Sequence, residues 1–302
     1  MLSRRCFLLC TLSLFTTSSV SKGLLSPDNF FSHESIKLWP EGWLGRDGPS
    51  KSIHISKRGV LTGIKTPSLE VFKPVTYNGK AVFISAGGGY SNIQVGNEVI
   101  PVVNLFLSQG YMCYVLLYRL PVEGWALGGV ASLQDAQRGL SIVKSREKNI
   151  SAIGFSAGAH LLGMALNKEI AYEEGLVSHD NIGRVRNVTF LYPVVSLEKP
   201  YNKTLTHHNI VGDAASPADE KKWSLHENIT EKTPPSLIVH AKNDKMVSYE
   251  NSVLLYDSCK EHDIESELML LQKGGHGFGI GRKKDGTDAW LEKHKGWVSK
   301  YS

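Results

Sequence analysis

Short apolar runs alternate with amphipathic segments along most of the chain. The apolar runs predict buried strands near 81–85, 111–117, 150–154, 188–192, 236–241 and 266–271. Apolar residues spaced three and four positions apart predict helices near 97–109, 132–147, 157–168, 247–262 and 287–299. Such alternation is typical of an α/β fold, in which a mostly parallel, doubly wound sheet carries helices on both faces. Two earlier segments, near 52–57 and 68–73, predict antiparallel edge strands.

The first residues follow a different pattern. Arg4 and Arg5 precede an apolar stretch at 6–15 and a small polar run at 16–21. This pattern predicts a secretory signal peptide over 1–21, cleaved near residues 19–21, because the apolar stretch is too short to span a bilayer. An uncleaved N-terminal anchor is the alternative. We therefore expect a secreted or periplasmic protein, whose residues 22–302 form one catalytic domain without a membrane span.

Charge and cysteine usage exclude several function classes. The net charge of +5 is spread along the chain, and aromatic residues do not interleave with basic ones, so no nucleic-acid partner is expected. Two of the four cysteines lie in the leader, and Cys113 and Cys259 stand apart, without the spacing of a metal site. Two buried free thiols are predicted, with a single disulfide as the alternative in an exported protein. No metal or organic cofactor is implied.

The pentapeptide 154–158, Gly-Phe-Ser-Ala-Gly, lies between a predicted strand and a predicted helix. This is the context of the G-x-S-x-G nucleophile elbow, in which a tight turn lifts a serine hydroxyl out of the sheet edge. Side chains at Gly154 and Gly158 would collide with the neighbouring strand and helix. Ser156 is therefore predicted to be a nucleophile at a helix N-terminus, and an idle serine in a glycine-rich turn is the alternative.

A serine nucleophile needs a histidine base and a carboxylate that orients the histidine. Asp244 follows the strand predicted at 236–241, and His276 lies in a glycine-rich loop after the strand predicted at 266–271. The chain order of serine, acid and histidine is that of α/β-hydrolases. Both residues come just after the carboxyl ends of strands, where open α/β sheets bind ligands. Ser156, Asp244 and His276 are thus the predicted catalytic triad.

A second glycine-rich segment follows the strand predicted at 81–85. Its sequence at 86–90, Ala-Gly-Gly-Gly-Tyr, lets backbone amides approach a substrate oxygen without obstruction by Cβ atoms. Hydrolases of this kind take one oxyanion donor from such a loop and another from the residue after the nucleophile, here Ala157. A flexible turn and a phosphate-binding loop are the alternatives, although no Gly-Lys-Ser/Thr follows, as a phosphate-binding loop would need.

These residues make the chain similar to α/β-hydrolases of the acetyl-xylan-esterase-like and feruloyl-esterase-like group. Further resemblances lie at 38–42, 68–74, 118–121, 133–138 and 191–195, so the likeness spans roughly residues 36 to 295. The resemblance implies an oxyanion hole formed by Gly88, Gly89 and Ala157. It also implies hydrolysis of small acyl esters, above all acetyl esters, on a carbohydrate such as acetylated xylan.

The sequence leaves the substrate contacts and several rival functions open. Trp125 and Tyr90 are tentative substrate-binding residues that could stack on a sugar ring, and a packing role is an equal alternative for both. A general carboxylesterase or lipase, a serine peptidase and a catalytically dead binding protein are the rival functions. We expect a peptidase to add a gating domain, a lipase to add an apolar lid, and a dead relative to lack one of the triad residues.

Overall fold

The computed structural model describes residues 24–44, 47–169, 171 and 183–301. The predicted signal peptide over 1–21 lies outside the described residues. The strands in chain order are β1 (Glu34–Lys37), β2 (His54–Ile55), β3 (Val60–Thr62), β4 (Ser68–Phe72), β5 (Ala81–Ser85), β6 (Ile93–Gln94), β7 (Met112–Leu117), β8 (Asn149–Phe155), β9 (Arg184–Leu191), β10 (Ser236–Ala241) and β11 (Ser266–Leu271). The α-helices are α1 (Ile100–Ser108), α2 (Gly129–Arg146), α3 (Ser156–Asn167), α4 (Leu205–Ile210), α5 (Pro217–Trp223), α6 (Glu250–Glu261) and α7 (Ala289–Lys300).

Eight strands form one mostly parallel sheet, in the order β1-β4-β7-β5-β8-β9-β10-β11. Strands β1, β4 and β7 pair antiparallel, and β7, β5, β8, β9, β10 and β11 pair parallel. Strands β5, β10 and β11 have the bounds that the apolar runs predicted. The predicted α/β class and mostly parallel sheet are confirmed. The apolar runs could predict them because strands buried on both faces of a parallel sheet are apolar along most of their length.

Helices cover both faces of this sheet. Gly154 of β8 lies beside Phe190 of β9, and a Cβ atom at Gly154 would point into α3, 2.5 Å from the Cα of Ala159. Thr189, one residue before Phe190, hydrogen bonds instead to His294 of α7 through Oγ1 and Nδ1, 2.9 Å apart. Successive residues of a strand face opposite sides. Helices α3 and α7 therefore lie on opposite faces, as the doubly wound arrangement requires.

Several short elements differ from the prediction. The segment near 52–57 contains an antiparallel edge strand, as predicted, but this strand, His54–Ile55, belongs to a separate three-stranded sheet in which it pairs with β3 and β3 pairs with β6. The segment near 68–73 is antiparallel, as predicted, but the unpredicted strand β1 pairs outside it and forms the edge. Strand β1 is mostly exposed, so it lacks the apolar run that marks the buried strands.

A buried ion pair joins the end of β7 to α2. The Asp135 carboxylate lies 2.8 Å from an Arg119 guanidinium nitrogen and accepts hydrogen bonds from the Arg119 amide and from Trp39 Nε1. Both charged side chains are at most 3% exposed. Removing one partner of such a pair typically costs about 3 to 5 kcal/mol, because the other charge stays buried and unpaired. These contacts fix the chain as it leaves the strand.

Cys113 and Cys259 are buried free thiols, as predicted, and burial raises the pKa of Cys259 to about 11. Within the ranges that the structure covers, every helix is too short or too polar to cross a bilayer.

Candidate active site

Ser156 is the first residue of α3 and follows β8 without a loop. Its φ angle is +48°, in the left-handed region that costs energy for a residue with a Cβ atom. The turn is possible because both flanking glycines lie against backbone. A Cβ atom at Gly154 would lie 2.5 Å from the Cα of Ala159, and one at Gly158 would lie 2.3 Å from the carbonyl oxygens of Ser85 and Ala86. The elbow geometry is therefore set by these close approaches.

The three residues predicted as a triad meet at the carboxyl edge of the sheet. Ser156 Oγ lies 2.8 Å from His276 Nε2, and His276 Nδ1 lies 2.6 Å from Asp244 Oδ2. The side chain of Asp244 is fully buried, that of His276 is 12% exposed, and Ser156 is 8% exposed. A hydroxyl, an imidazole and a carboxylate hydrogen bonded in this order can pass a proton from the oxygen to the ring. Their catalytic role remains a prediction.

Asp244 is held by more than the triad histidine. Its Oδ1 accepts hydrogen bonds from the amides of Met246 and Val247, at 2.8 and 3.0 Å. His240, the second last residue of β10, places Nε2 3.1 Å from Oδ2. Burial alone would raise the pKa of Asp244, but hydrogen bonds from His240 and His276 hold this pKa well below its ordinary value. The carboxylate therefore stays ionised at neutral pH and available to orient His276.

The loop after β5 has the conformation expected of an oxyanion hole. Gly88 and Gly89 have φ angles of +127° and +62°, which favour glycine. Neither amide donates a hydrogen bond within the described parts of the chain, so both are free to face a ligand. Asn209 of α4 fixes the loop by donating to the Gly89 carbonyl at 2.6 Å. Ala157 is the second residue of α3, where helix geometry leaves its amide without a partner in the helix.

The two tentative sugar-stacking residues are packed into the protein. Tyr90 is 0% exposed, and its hydroxyl lies 2.8 Å from His160 Nδ1. Trp125 is 6% exposed, and the guanidinium carbon of Arg119 lies over its ring, 5.3 Å from the ring centroid. A Cβ atom at Gly48 would also collide with the Trp125 ring, at 2.4 Å. Neither ring offers a face to a sugar, so the structure favours the packing alternative for both residues.

A cavity of about 310 Å³ opens beside His276. Its walls come from two segments, the turn that leads into α1 together with the first residues of α1, and the loop after β11. The residues that line it include Asn97, Pro101, Phe278, Ile280 and Arg282. Asn97 joins the two walls by donating a hydrogen bond from Nδ2 to the Gly277 carbonyl, at 2.5 Å. The base of the triad thus borders a space that a small substrate group can enter.

One acidic residue beside the oxyanion loop, Glu98, was not predicted from the sequence as part of the site. Glu98 is 3% exposed, and its Oε2 accepts a hydrogen bond from the Gly87 amide at 2.6 Å. The signal was present, because Glu98 is the one charged residue in the apolar stretch at 93–107. A lone acid on the buried face of an apolar segment indicates a polar partner in the core.

Known proteins are similar to this chain in sequence and in fold. An acetylxylan esterase of Xylanibacter ruminicola is 25% identical over 238 residues, which are 75% of this chain and 47% of that protein. The chain thus spans about half the length of that relative. An acetyl ester-xyloside bifunctional hydrolase from Caldicellulosiruptor lactoaceticus has a TM-score of 0.71 at 23% identity, over 88% of this chain and 96% of its own. The carboxylesterase Cest-2923 from Lactobacillus plantarum has a TM-score of 0.64 at 18% identity, over 83% and 98%.

These two structures establish the α/β-hydrolase fold, and the predicted relationship to acetylxylan esterases is confirmed. The model of one protein family matches residues 123–302, which include all three triad positions but not the oxyanion loop. By this match over more than half of its length, the chain belongs to the prolyl oligopeptidase family.

Proposed function

We propose that this protein is a serine esterase that hydrolyses small acyl esters, above all acetyl esters, on carbohydrate. One observation carries the proposal, namely the hydrogen-bonded chain from Ser156 through His276 to Asp244. It lies beside a glycine-rich loop whose Gly88 and Gly89 amides face no other described partner. Together these groups supply the nucleophile, base, orienting acid and anion donors that acyl transfer needs.

The proposed reaction uses each of these groups in turn. Ser156 Oγ attacks the ester carbonyl while His276 Nε2 accepts its proton, and Asp244 stabilises the imidazolium through Nδ1. The amides of Gly88, Gly89 and Ala157 receive the negative charge on the carbonyl oxygen. The imidazolium then protonates the leaving alcohol, which departs and leaves an acyl-serine. Water, deprotonated by His276, releases the acid and restores the serine.

The carbohydrate part of the proposal is supported by the names of the relatives. By their descriptions, one relative is an acetylxylan esterase and the other is a bifunctional hydrolase of acetyl esters and xylosides. The carboxylesterase and the peptidase family name support two rival substrates, a simple ester and a peptide. The chemistry at the serine is the same for all three, so only substrate profiling separates them.

The experiment compares nitrophenyl acetate, nitrophenyl esters of longer acids, acetylated xylan and a chromogenic dipeptide. We expect the highest kcat/KM with acetyl esters, and acetate release from xylan. Ser156→Ala should lower the rate by several orders of magnitude and leave the melting temperature nearly unchanged. The matched control is Ser145→Ala, because the Ser145 hydroxyl only returns to the Ile142 carbonyl of its own helix.

Each other outcome contradicts a different part of the proposal. A preference for long acyl chains would replace the carbohydrate substrate with a general carboxylesterase or lipase substrate. Turnover of the dipeptide alone would make the protein a peptidase. Absence of all turnover, together with no labelling of Ser156 by a phosphonate, would leave a binding protein on a hydrolase fold.

We further propose that the protein is exported. The proposal rests on the basic and apolar pattern of residues 1–21. Expression of the full chain in an exporting host should give a mature protein whose N-terminus, read by intact mass, lies near residues 19–21. Leu9→Arg should block this cleavage, because a charge interrupts the apolar region that the export machinery recognises. Retention of Met1 in the wild-type protein would support the uncleaved anchor.

A further inference from the structure

Glu98 is a buried acid that the proposed mechanism does not use. It lies in a π-helical turn over Val95–Val99, directly before α1, and only 3% of it is exposed. Burying a carboxyl group is costly unless hydrogen bonds compensate for the lost water. The partners of Glu98 therefore indicate why the group is present.

Both carboxyl oxygens of Glu98 bind segments that carry the active site. Oε2 accepts the Gly87 amide at 2.6 Å, and Oε1 accepts the Tyr192 hydroxyl at 3.1 Å. The Tyr192 oxygen in turn accepts the amide of Gly279, at 3.2 Å. One side chain thus connects the oxyanion loop, the end of β9 and the loop that carries His276.

The contact with the oxyanion loop also fixes its distance from the nucleophile. A Cβ atom at Gly87 would lie 2.8 Å from Ser156 Cβ and 3.2 Å from Glu98 Oε2. Gly87 therefore lies against both the serine and the carboxylate, with no room for a side chain. The carboxylate takes the Gly87 amide, and the next two amides, those of Gly88 and Gly89, donate to no other group in the described residues.

We propose that Glu98 is a positioning residue, whose carboxylate holds the oxyanion loop and the His276 loop in register with Ser156. This inference rests on the proposed serine hydrolase function. Glu98 touches neither the nucleophile nor the base directly, so it acts through Gly87 and Tyr192.

The protonation state of Glu98 determines how firmly its carboxyl group can hold the oxyanion loop and the His276 loop. In the described part of the chain, the titratable groups that face it are Tyr192 after β9, Tyr118 after β7 and His276 after β11. Burial raises the pKa of Glu98 to about 7, against the opposing effects of the Gly87 amide, the Tyr192 hydroxyl and His276. The carboxylate can accept both hydrogen bonds at once. Protonation converts one oxygen into a donor and weakens one of the two links.

The test compares Glu98→Gln and Glu98→Ala with the wild type. Glutamine keeps one carbonyl oxygen for the Gly87 amide but carries no charge, whereas alanine removes both links. The control is Glu70→Gln, because Glu70 is 2% exposed like Glu98 but binds only Ser35 and Ser68, away from the site. Each variant is assayed with nitrophenyl acetate between about pH 5.5 and 8.5, well below its melting temperature.

We expect a pH-dependent loss in kcat with a small change in KM. Glu98→Ala should lower kcat about a hundredfold above pH 8, as loss of an oxyanion donor does, and Glu98→Gln should recover part of it. The kcat ratio of wild type to Glu98→Gln should be near one below about pH 6 and rise to about tenfold above pH 8. Glu70→Gln should leave kcat and its pH profile unchanged.

A second variant, Tyr192→Phe, tests the same proposal if Glu98→Ala does not fold. Tyr192→Phe keeps the aromatic ring and leaves the hydrogen bond between Glu98 and Gly87 in place, but it removes the hydroxyl that binds Glu98 and Gly279. Because that hydrogen bond favours the charged carboxylate, its loss should move the midpoint of the ratio to higher pH, measured against a Tyr192→Phe/Glu98→Gln double variant. A kcat ratio that stays constant with pH in both backgrounds would overturn the proposal.

Hydrogen exchange separates this proposal from the proposed function. In Glu98→Ala, amides at 86–90 and 276–280 should exchange faster than in the wild type, and in Glu70→Gln they should not. An inactive wild type would contradict the esterase function, and the exchange result would still decide whether Glu98 positions the loops. An active wild type with unchanged exchange and a flat kcat ratio would contradict the role of Glu98 alone.

Discussion

The carboxylate of Asp244 lies between two imidazoles, and both approach the same oxygen. His276 Nδ1 is 2.6 Å from Oδ2 and His240 Nε2 is 3.1 Å from it, while Oδ1 accepts two backbone amides. Asp244→Asn keeps an oxygen for those amides but turns an NH₂ group toward His276. The imidazole then loses its orienting acceptor, and we expect kcat to fall roughly ten-thousandfold at neutral pH.

Steady-state kinetics with nitrophenyl acetate measures this loss. Asp263→Asn is the matched control, because Asp263 is an exposed turn residue with a φ angle of +56°, which asparagine also tolerates. A variant at position 244 that keeps more than about a tenth of the wild-type kcat would remove Asp244 from the triad.

The buried carboxyl group of Glu98 leads to a separate prediction about how the free energy of unfolding depends on pH. Its pKa is raised by burial to about 7 in the folded protein, above the ordinary 4.5. A raised carboxyl pKa gives stability that is fully present below about pH 4.5 and is lost as the pH rises to about 7. Relative to Glu98→Gln, the free energy of unfolding of the wild type should therefore fall by on the order of 3 kcal/mol across that window.

Urea unfolding at several pH values measures this difference. Glu292→Gln, an exposed change on α7, should give a difference that hardly varies with pH. A wild-type protein that gains stability relative to Glu98→Gln between pH 5 and 7 would contradict the sign.

Residues of the site differ in how well the sequence predicts them. Ser156, Asp244 and His276 could be chosen because each follows an apolar run, and the carboxyl ends of parallel strands meet at one edge. Glu98 was missed as an active-site residue because its hydrogen bond to Tyr192 joins segments 94 residues apart, which no local spacing encodes. His240 lies only four residues before Asp244, but inside an apolar strand it gives no separate catalytic signal. Tyr90 lies beside the oxyanion loop in sequence, but its side chain turns into the core.

At the scale of elements, α3 is in close backbone contact with the end of β5. A Cβ atom at Gly158 would lie 2.3 Å from two carbonyl oxygens, and backbone cannot yield as a flexible side chain can. Gly158→Ala should therefore push α3 away from the oxyanion loop. We expect a loss of about 2 kcal/mol or more in unfolding free energy, as for overpacking in a core, together with reduced kcat.

Gly296→Ala is the matched control on another helix. Gly296 lies on the exposed face of α7, and a Cβ atom there would meet nothing within 4 Å. Alanine should stabilise the protein by about 0.5 to 1 kcal/mol, because it lowers the entropy of the unfolded chain. Thermal unfolding of both variants measures the two effects, and a stable, fully active Gly158→Ala variant would contradict the tight contact.

Long buried elements were predicted better than short exposed ones. The apolar runs located β5, β10 and β11 to the residue. Strands β5 and β10 are buried along their whole length, and such strands are largely apolar, whereas the half-buried β11 is marked by its apolar run at 268–271. Strands β1, β3 and β6 left no such pattern, and of the three-stranded sheet only β2 was predicted. These strands have two to four residues, and the pairings of β1 with β4 and of β3 with β6 join segments some 30 residues apart in the sequence.

At the scale of the whole molecule, the triad is divided between the middle and one edge of the sheet. Ser156 leaves β8, which has β5 and β9 as neighbours, whereas Asp244 follows β10 and His276 follows β11. Among the strands that the structure describes, β11 has one neighbour, β10. Edge elements of a fold commonly open at a lower free-energy cost than its centre.

The base, His276, lies in the loop that follows the outermost described strand, and this position limits how much heat or denaturant catalysis can tolerate. Opening of the β10–β11 edge carries away the imidazole and leaves the central strands folded. Activity should therefore disappear at a lower urea concentration than the far-ultraviolet circular dichroism of the sheet, and coincident curves would contradict this order. Substitutions that reinforce β10, β11, α6 or α7 would then extend the working range of the enzyme, whereas reinforcement of the opposite edge would raise only its melting point.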